Sequence, residues 1–250
     1  MVSRRLGRLR ALSFWARRST KKSSGNGAAS CHATPGHADC ARHWDMPDYG
    51  HGSEYWDTKH AEDKSPYEWM QGYEDLSKVI AKFTDGDREH RVLHVGCGSS
   101  LLTEGMYDDG YHDIVNIDIS GVVVEKMRER NKEVRPKMQW LTMDATALGL
   151  ENDLFSVVID KCTIDTLVCS NDSKVVVGKY LKEVVRVLKD NGVFLAFSFG
   201  KPAVRLSYLK KSNLNFQVEI IKVPVPYTKT QFHYLYACRK GAAENRPETM

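Results

Sequence analysis

Four short segments carry residue types able to hold a small ligand. In "VLHVGCGSSLL" (92–102), Gly96 and Gly98 flank Cys97 straight after an apolar run. Glycines there permit positive φ and let a ligand come close to the main chain. Asp118 ends "NID", 22 residues beyond Gly96. That is the spacing at which nucleotide-binding α/β folds carry an acceptor for ribose hydroxyls. "MDA" sets the Asp144 carboxylate and the Ala145 N–H where together they can read an adenine edge, and "VVIDKCTIDTL" closes a fourth run with Asp160 and Lys161. A Gly-x-Gly alone fits a ligand-free tight turn equally well; the four segments in this order point to a nucleoside.

The elements that must position these residues follow from periodicity. Apolar runs at 92–95, 113–119, 138–143, 155–161 and 192–199 alternate with helical patterns at 100–109, 121–133 and 174–189. In the last of these, Val177, Tyr180, Leu181, Val184, Val185 and Leu188 have the i, i+3, i+4, i+7 spacing of a half-buried face. Strands alternating with helices predict a doubly wound α/β fold with a mostly parallel sheet. Runs 216–223 and 231–239 have no helix between them and predict a closing antiparallel hairpin, for seven strands in all. Every acidic residue singled out above then falls at the carboxyl end of a strand, where open α/β sheets bind ligands.

The third glycine of a dinucleotide fingerprint is replaced by Leu101, and no Gly-Lys-Ser/Thr of a P-loop is present. The expected ligand therefore has adenosine but no pyrophosphate. S-adenosylmethionine fits, because aromatic faces and carboxylates stabilise its sulfonium. Asp160 and Asp165 are the carboxylates best placed by sequence for proton transfer; ordering Lys161 explains Asp160 equally well, and a helix N-terminal charge explains Asp165. The Thr163 hydroxyl is expected to cap the helix after the fourth strand.

The 250-residue chain carries a net charge of +4, and residues 1–45 contribute +7 of it, leaving a mildly acidic body. That balance argues against a nucleic-acid partner, and no apolar run reaches membrane-spanning length. The start, "MVSRRLGRLRALSFWARRSTKKSSGNGAAS", is rich in Arg and Ser and free of acid, with Val2, Leu6 and Leu9 on one helical face. This is the composition of a mitochondrial transit peptide, a disordered basic tail being the alternative, with Met46 as a second start and a cytoplasmic product. Six unclustered cysteines fit free thiols in a reducing compartment. Cys31, His32, His37, Cys40 and His43 lack finger-like spacing, so no metal is expected. The domain division is then a basic segment (1–45), an aromatic helical cap (46–90), the α/β domain (91–241) and a disordered tail (242–250).

"VLHVGCGSS", "NIDIS", "MDA", "EYWD", "YEWMQGY", "FSVVIDKCTIDTL" and "FHYLYACRKG" resemble the class I S-adenosylmethionine-dependent methyltransferases, with their Rossmann-like fold, from about Glu54 to Gly241. More narrowly they are similar to the branch that modifies protein lysines, including the elongation-factor-1-alpha and citrate synthase lysine methyltransferases. "KPAVRLSYL" looks like the equivalent in the latter. The resemblance implies a protein-lysine methyltransferase. Trp56, Trp69 and Tyr67 would line the cofactor pocket, Gly96 would meet the methionine part within the Gly96–Cys97–Gly98 turn, and Asp118 with Ile119 the ribose. Asp144 with Ala145 would meet the adenine, with Lys161 alongside. Three positions depart from the pattern. His94 replaces an acidic residue, His60 falls where a pocket tyrosine is usual, and Cys162 replaces the glycine of "DKGT". A small-molecule methyltransferase and a non-catalytic binding module remain as alternatives; short strand-to-helix loops suit a protein surface better.

Overall fold

The structure, a computed structural model, describes residues 52–63, 65–226, 228 and 230–241. The transit-peptide, second-start and metal readings of the first 51 residues and the tail reading of 242–250 lie outside them. The elements run, in chain order, α1 (Gly52–Glu62), α2 (Tyr73–Phe83), β1 (Val92–Val95), α3 (Leu102–Asp108), β2 (Ile114–Asp118), α4 (Gly121–Asn131) and β3 (Gln139–Thr142). Then come β4 (Phe155–Lys161), α5 (Thr163–Val168), α6 (Ser173–Val187), β5 (Leu188–Ser198), α7 (Pro202–Leu209), a short 3₁₀ turn (Ser212–Leu214), β6 (Phe216–Pro224) and β7 (Phe232–Lys240).

The seven strands form one sheet in the order β3-β2-β1-β4-β5-β7-β6. The first five are mutually parallel, β7 is antiparallel to β5, and β6 pairs antiparallel with β7. The order reverses beside β1, which has β2 on one side and β4 on the other; such a switch point opens a crevice at the carboxyl ends.

Strand alternation divides the core into two layers. Val92, Ile114, Val157, Ile159 and Leu195 face α2, α3 and α4 through Leu76, Ile80, Met106 and Val124. Leu93, Val115, Val158 and Phe194 face α5, α6 and α7 through Ile164, Tyr180, Val184 and Leu209. Strand interiors buried on both faces are what a parallel sheet covered by helices demands.

Cys97, Cys162 and Cys238 are buried free thiols. Two elements differ from their sequence-based bounds. α6 stops at Val187, and β5 begins at once because Leu188 pairs with Phe155 across a register shift. "KPAVRLSYL" folds as α7, with Pro202 in its first turn, where the missing N–H carries no penalty.

Candidate functional site

An open cleft of about 1080 Å³, its solvent mouth included, lies at the carboxyl ends of β1–β4 beneath α1 and the 63–72 loop. Trp56, His60, Tyr67, Trp69, Gly96, Cys97, Gly98, Asp118, Ile119, Asp144, Ala145 and Lys161 all line it. The twelve residues expected at the site thus come to one wall from six segments. His94, Cys162, Thr163 and Asp165 line it as well.

The Gly turn is held by contacts that fix why it is bare. Gly96 has φ +61° and Gly98 φ +49°, the left-handed region that glycine enters at least cost. A Cβ on Gly96 would sit 2.0 Å from Thr163 Oγ1, and that hydroxyl donates to the Val95 carbonyl at 2.9 Å. The main chain of β1 and the start of α5 therefore touch directly. Asp118 accepts from Gly98 N–H at 2.8 Å through Oδ2 and from Ser120 N–H at 2.9 Å through Oδ1. Burial pushes its carboxyl up, and those two amides oppose the shift. Asp144 is exposed at the rim and accepts from the Thr146 N–H at 2.7 Å.

The cap is fastened by polar contacts as well as by aromatic packing. Asp57 accepts from the Ser120 hydroxyl at 2.6 Å and from Val122 N–H at 3.2 Å, tying α1 to the first turn of α4. Lys126 donates to the His60 carbonyl. His60 stacks on Trp56, Trp56 meets Trp69 edge-on, and Trp69 meets Tyr67 edge-on. Burial lowers the His60 pKa, with the Asp118 and Asp63 charges opposing. Tyr67, 43% exposed, stands at the mouth, and Gln71 closes the cap from below by donating to the Pro224 carbonyl at 2.7 Å.

Glu68, between Tyr67 and Trp69, is the side chain that sequence reading missed. Its carboxylate accepts from Leu101 N–H at 2.7 Å and from the Ser100 hydroxyl at 2.9 Å, and it forms an ion pair with Lys161. No spacing rule could have found it, because its partners are 32, 33 and 93 residues away. Beside Lys161 lies His94, fully buried. Burial first, and the Lys161 charge second, hold His94 down at about 3, with Asn116 opposing, so it is a neutral imidazole.

Asp160 is placed differently from its proposed proton-transfer role. Its side chain is fully buried on the α6 face of the sheet, opposite Lys161, and is not on the cleft wall. It accepts from Thr163 N–H at 2.7 Å, Ile164 N–H at 2.9 Å and the Tyr180 hydroxyl at 2.7 Å. Asp160 is thus the cap of α5, the task expected of the Thr163 hydroxyl, which instead bonds Val95. The physical reason is the two-residue period of β4: adjacent residues point to opposite faces, so Asp160 and Lys161 cannot both face the cleft. Burial raises the Asp160 pKa to about 7, against the pull of Tyr180. Asp165 does line the cleft; it accepts from Arg205 at 2.6 Å and from the Ser198 hydroxyl at 2.9 Å, both partners buried.

These features suit an adenosine carrying a cationic centre. Asp118, Asp144 and Asp165 stand on the wall against one cation, Lys161, which is already paired. A switch-point crevice, a bare Gly turn and an acidic residue on the next strand are the features of a nucleoside-binding α/β fold. Residues 93–196 match the family model described as a methyltransferase domain. The chain is 31% identical over 201 residues to the EEF1A lysine methyltransferase 4 of Bos taurus, covering 75% of each chain. It is 42% identical over 158 residues to the eEF1A lysine and N-terminal methyltransferase of Bos taurus, covering 62% of this chain. The chain spans only about a fifth (22%) of the length of that relative. The N-methyltransferase NodS from Bradyrhizobium japonicum WM9, solved with S-adenosyl-L-homocysteine, superposes with a TM-score of 0.59 at 13% identity, covering 76% of this chain and 98% of that one. At that identity the likeness concerns the fold. The chain belongs to the S-adenosylmethionine-dependent methyltransferases of the class I fold.

Proposed function

We propose that the protein transfers a methyl group from S-adenosylmethionine to an amine on a protein, the lysine ε-amine above all. The observation that carries this reading is the open mouth. The connections from β1 to α3, β2 to α4 and β4 to α5 are only 96–101, 119–120 and 162, so the cleft meets solvent with Tyr67 at its edge. A side chain presented by a folded partner can enter such a mouth. The relatives named as eEF1A lysine methyltransferases support the same reading.

Bound S-adenosylmethionine supplies an electrophilic methyl on a positively charged sulfur. Within the cleft, Asp118 and the Ile119 backbone hold the ribose, Asp144 and Ala145 N–H the adenine, and the Gly96–Gly98 turn receives the methionine end. Trp56, His60 and Trp69 cover the cofactor, and Tyr67 with Trp69 shields the approaching amine from water. Positioning provides much of the rate in an in-line displacement. The amine must arrive neutral, against a free lysine pKa of about 10.4. Asp165 is committed to Arg205 and Ser198, so the proton leaves to water through the mouth.

The test is the full chain with radiolabelled S-adenosylmethionine and purified eEF1A, then separate cytosolic and mitochondrial extracts, with Asp118→Ala as the pocket control. One labelled band, lost in the variant, establishes a protein substrate, and peptide mapping separates lysine from an N-terminal amine. A mitochondrial band of citrate synthase size selects that target instead. No protein label, with cofactor binding intact, sinks the protein-substrate reading in favour of a small molecule. We also propose mitochondrial import by residues 1–45; a purely cytosolic signal from a fluorescent fusion of that segment refutes it.

A further inference from the structure

We infer that Glu68 sets the charge of the cofactor cleft: by neutralising Lys161 it allows a cation to sit there, so that Glu68 determines the preference for sulfonium over thioether. The inference rests on the cleft being the S-adenosylmethionine site.

Lys161 is the one cationic side chain on the described wall, and its side chain is 1% exposed. A buried ammonium without a counter-charge would repel a sulfonium bound in the same cleft, at short range and poorly screened. Water cannot supply the compensation, because Lys161 is shut off from solvent. Glu68 supplies it. Its own side chain is 25% exposed, and three further contacts fix its position: Leu101 N–H and two approaches of the Ser100 hydroxyl. Glu68 also sits between Tyr67 and Trp69, so the residue that balances the charge is carried by the loop that covers the site. Glu68 is accordingly a positioning and specificity residue, acting through Lys161 and not on the reacting atoms.

S-adenosylmethionine and S-adenosylhomocysteine differ by the methyl group and its positive charge, so the ratio of their dissociation constants isolates this effect. Glu68→Gln keeps a carbonyl oxygen for Leu101 N–H and removes the charge together with the oxygen that accepts from Lys161. Isothermal titration of the full chain with each ligand is expected to show S-adenosylmethionine weakened on the order of tenfold more than S-adenosylhomocysteine. Lys161→Met is expected to move the ratio the opposite way, and Glu68→Gln with Lys161→Met to return it near the wild-type value. Equal weakening of both ligands by Glu68→Gln, or an unchanged ratio in Lys161→Met, overturns the inference and leaves Glu68 a loop anchor. Should Glu68→Gln fail to fold, Lys161→Met alone decides the sign. Failure of the site reading looks different: Asp118→Ala would then leave both wild-type affinities unchanged, and the inference falls with it.

Discussion

Replacing Gly96 with alanine is the sharpest test of how the turn is built. The new Cβ would lie 2.0 Å from Thr163 Oγ1 and 2.9 Å from its Cγ2, at a φ of +61°. An alanine in the left-handed region costs about 1–2 kcal/mol. Driving Thr163 aside adds about 1–3 kcal/mol of overpacking and loosens its bond to the Val95 carbonyl, worth about 1 kcal/mol. The expected total is about 3–6 kcal/mol. For a domain of this size that lowers the melting temperature by roughly 6–24 °C. The assay is chemical denaturation of Gly96→Ala, Thr163→Ala and the double variant. In the Thr163→Ala background the contacts at 2.0 and 2.9 Å are gone and only the Cβ at 3.0 Å remains, so the glycine substitution should cost little beyond the backbone term. A coupling of about 2 kcal/mol or more between the two sites is therefore expected. Additive effects, or a Gly96→Ala variant within about 1 kcal/mol of wild type, would refute direct contact between the turn and α5.

Three other perturbations follow from the buried groups. His94 titrates near 3 in the folded chain against 6.5 when free, so the unfolded state binds the extra proton first, and the stability this group contributes is present above pH 6.5 and lost as pH falls toward 3. Urea unfolding from pH 7 to 4 should show His94→Gln losing less stability than wild type, by up to roughly 1.4 kcal/mol per pH unit; parallel curves would contradict this. Tyr180→Phe removes one of three donors to the buried Asp160 carboxylate. It should destabilise by about 1–3 kcal/mol while leaving S-adenosylhomocysteine affinity unchanged, and a weakened affinity would return Asp160 to the site. Asp57→Ala unfastens α1 from α4; titration should show cofactor affinity falling severalfold with little change in melting temperature, and the reverse pattern would make Asp57 a stability residue only.

The sheet was legible because its signals are local. β4 has the bounds 155–161 that its apolar run predicts, and the hairpin strands differ from prediction by one residue at their ends. The early start of β5 was not legible. The helical pattern was read to 189 and the strand from 192, yet residues 188–191 belong to β5, with Asn191 at φ +61°, because Leu188 finds a partner in Phe155. The cleft residues at the strand ends were legible for a topological reason: strand ends in a parallel sheet gather at one edge, so a list of acidic and glycine residues there is already a list of neighbours; Trp56, His60, Tyr67 and Trp69, on the cap, came only from the family resemblance.

What stayed hidden is charge pairing between distant segments. Asp160 and Lys161 were both expected at the site, although strand alternation alone separates them once both faces of β4 are known to be covered. Lys161 then needs a partner on the cap side and Asp160 one on the α6 side; Glu68 and Tyr180 are those partners, 93 and 20 residues away. A buried charge is held by what compensates it, and the compensation here sorts the two residues by function. Asp160 is balanced by helix N–H groups and a hydroxyl fixed within the fold, an arrangement indifferent to any ligand. Lys161 is balanced by a carboxylate on the loop that covers the cleft. The loop that covers the cleft is therefore also the loop that compensates Lys161, and without Glu68 an unpaired ammonium would face the sulfonium the cleft has to hold.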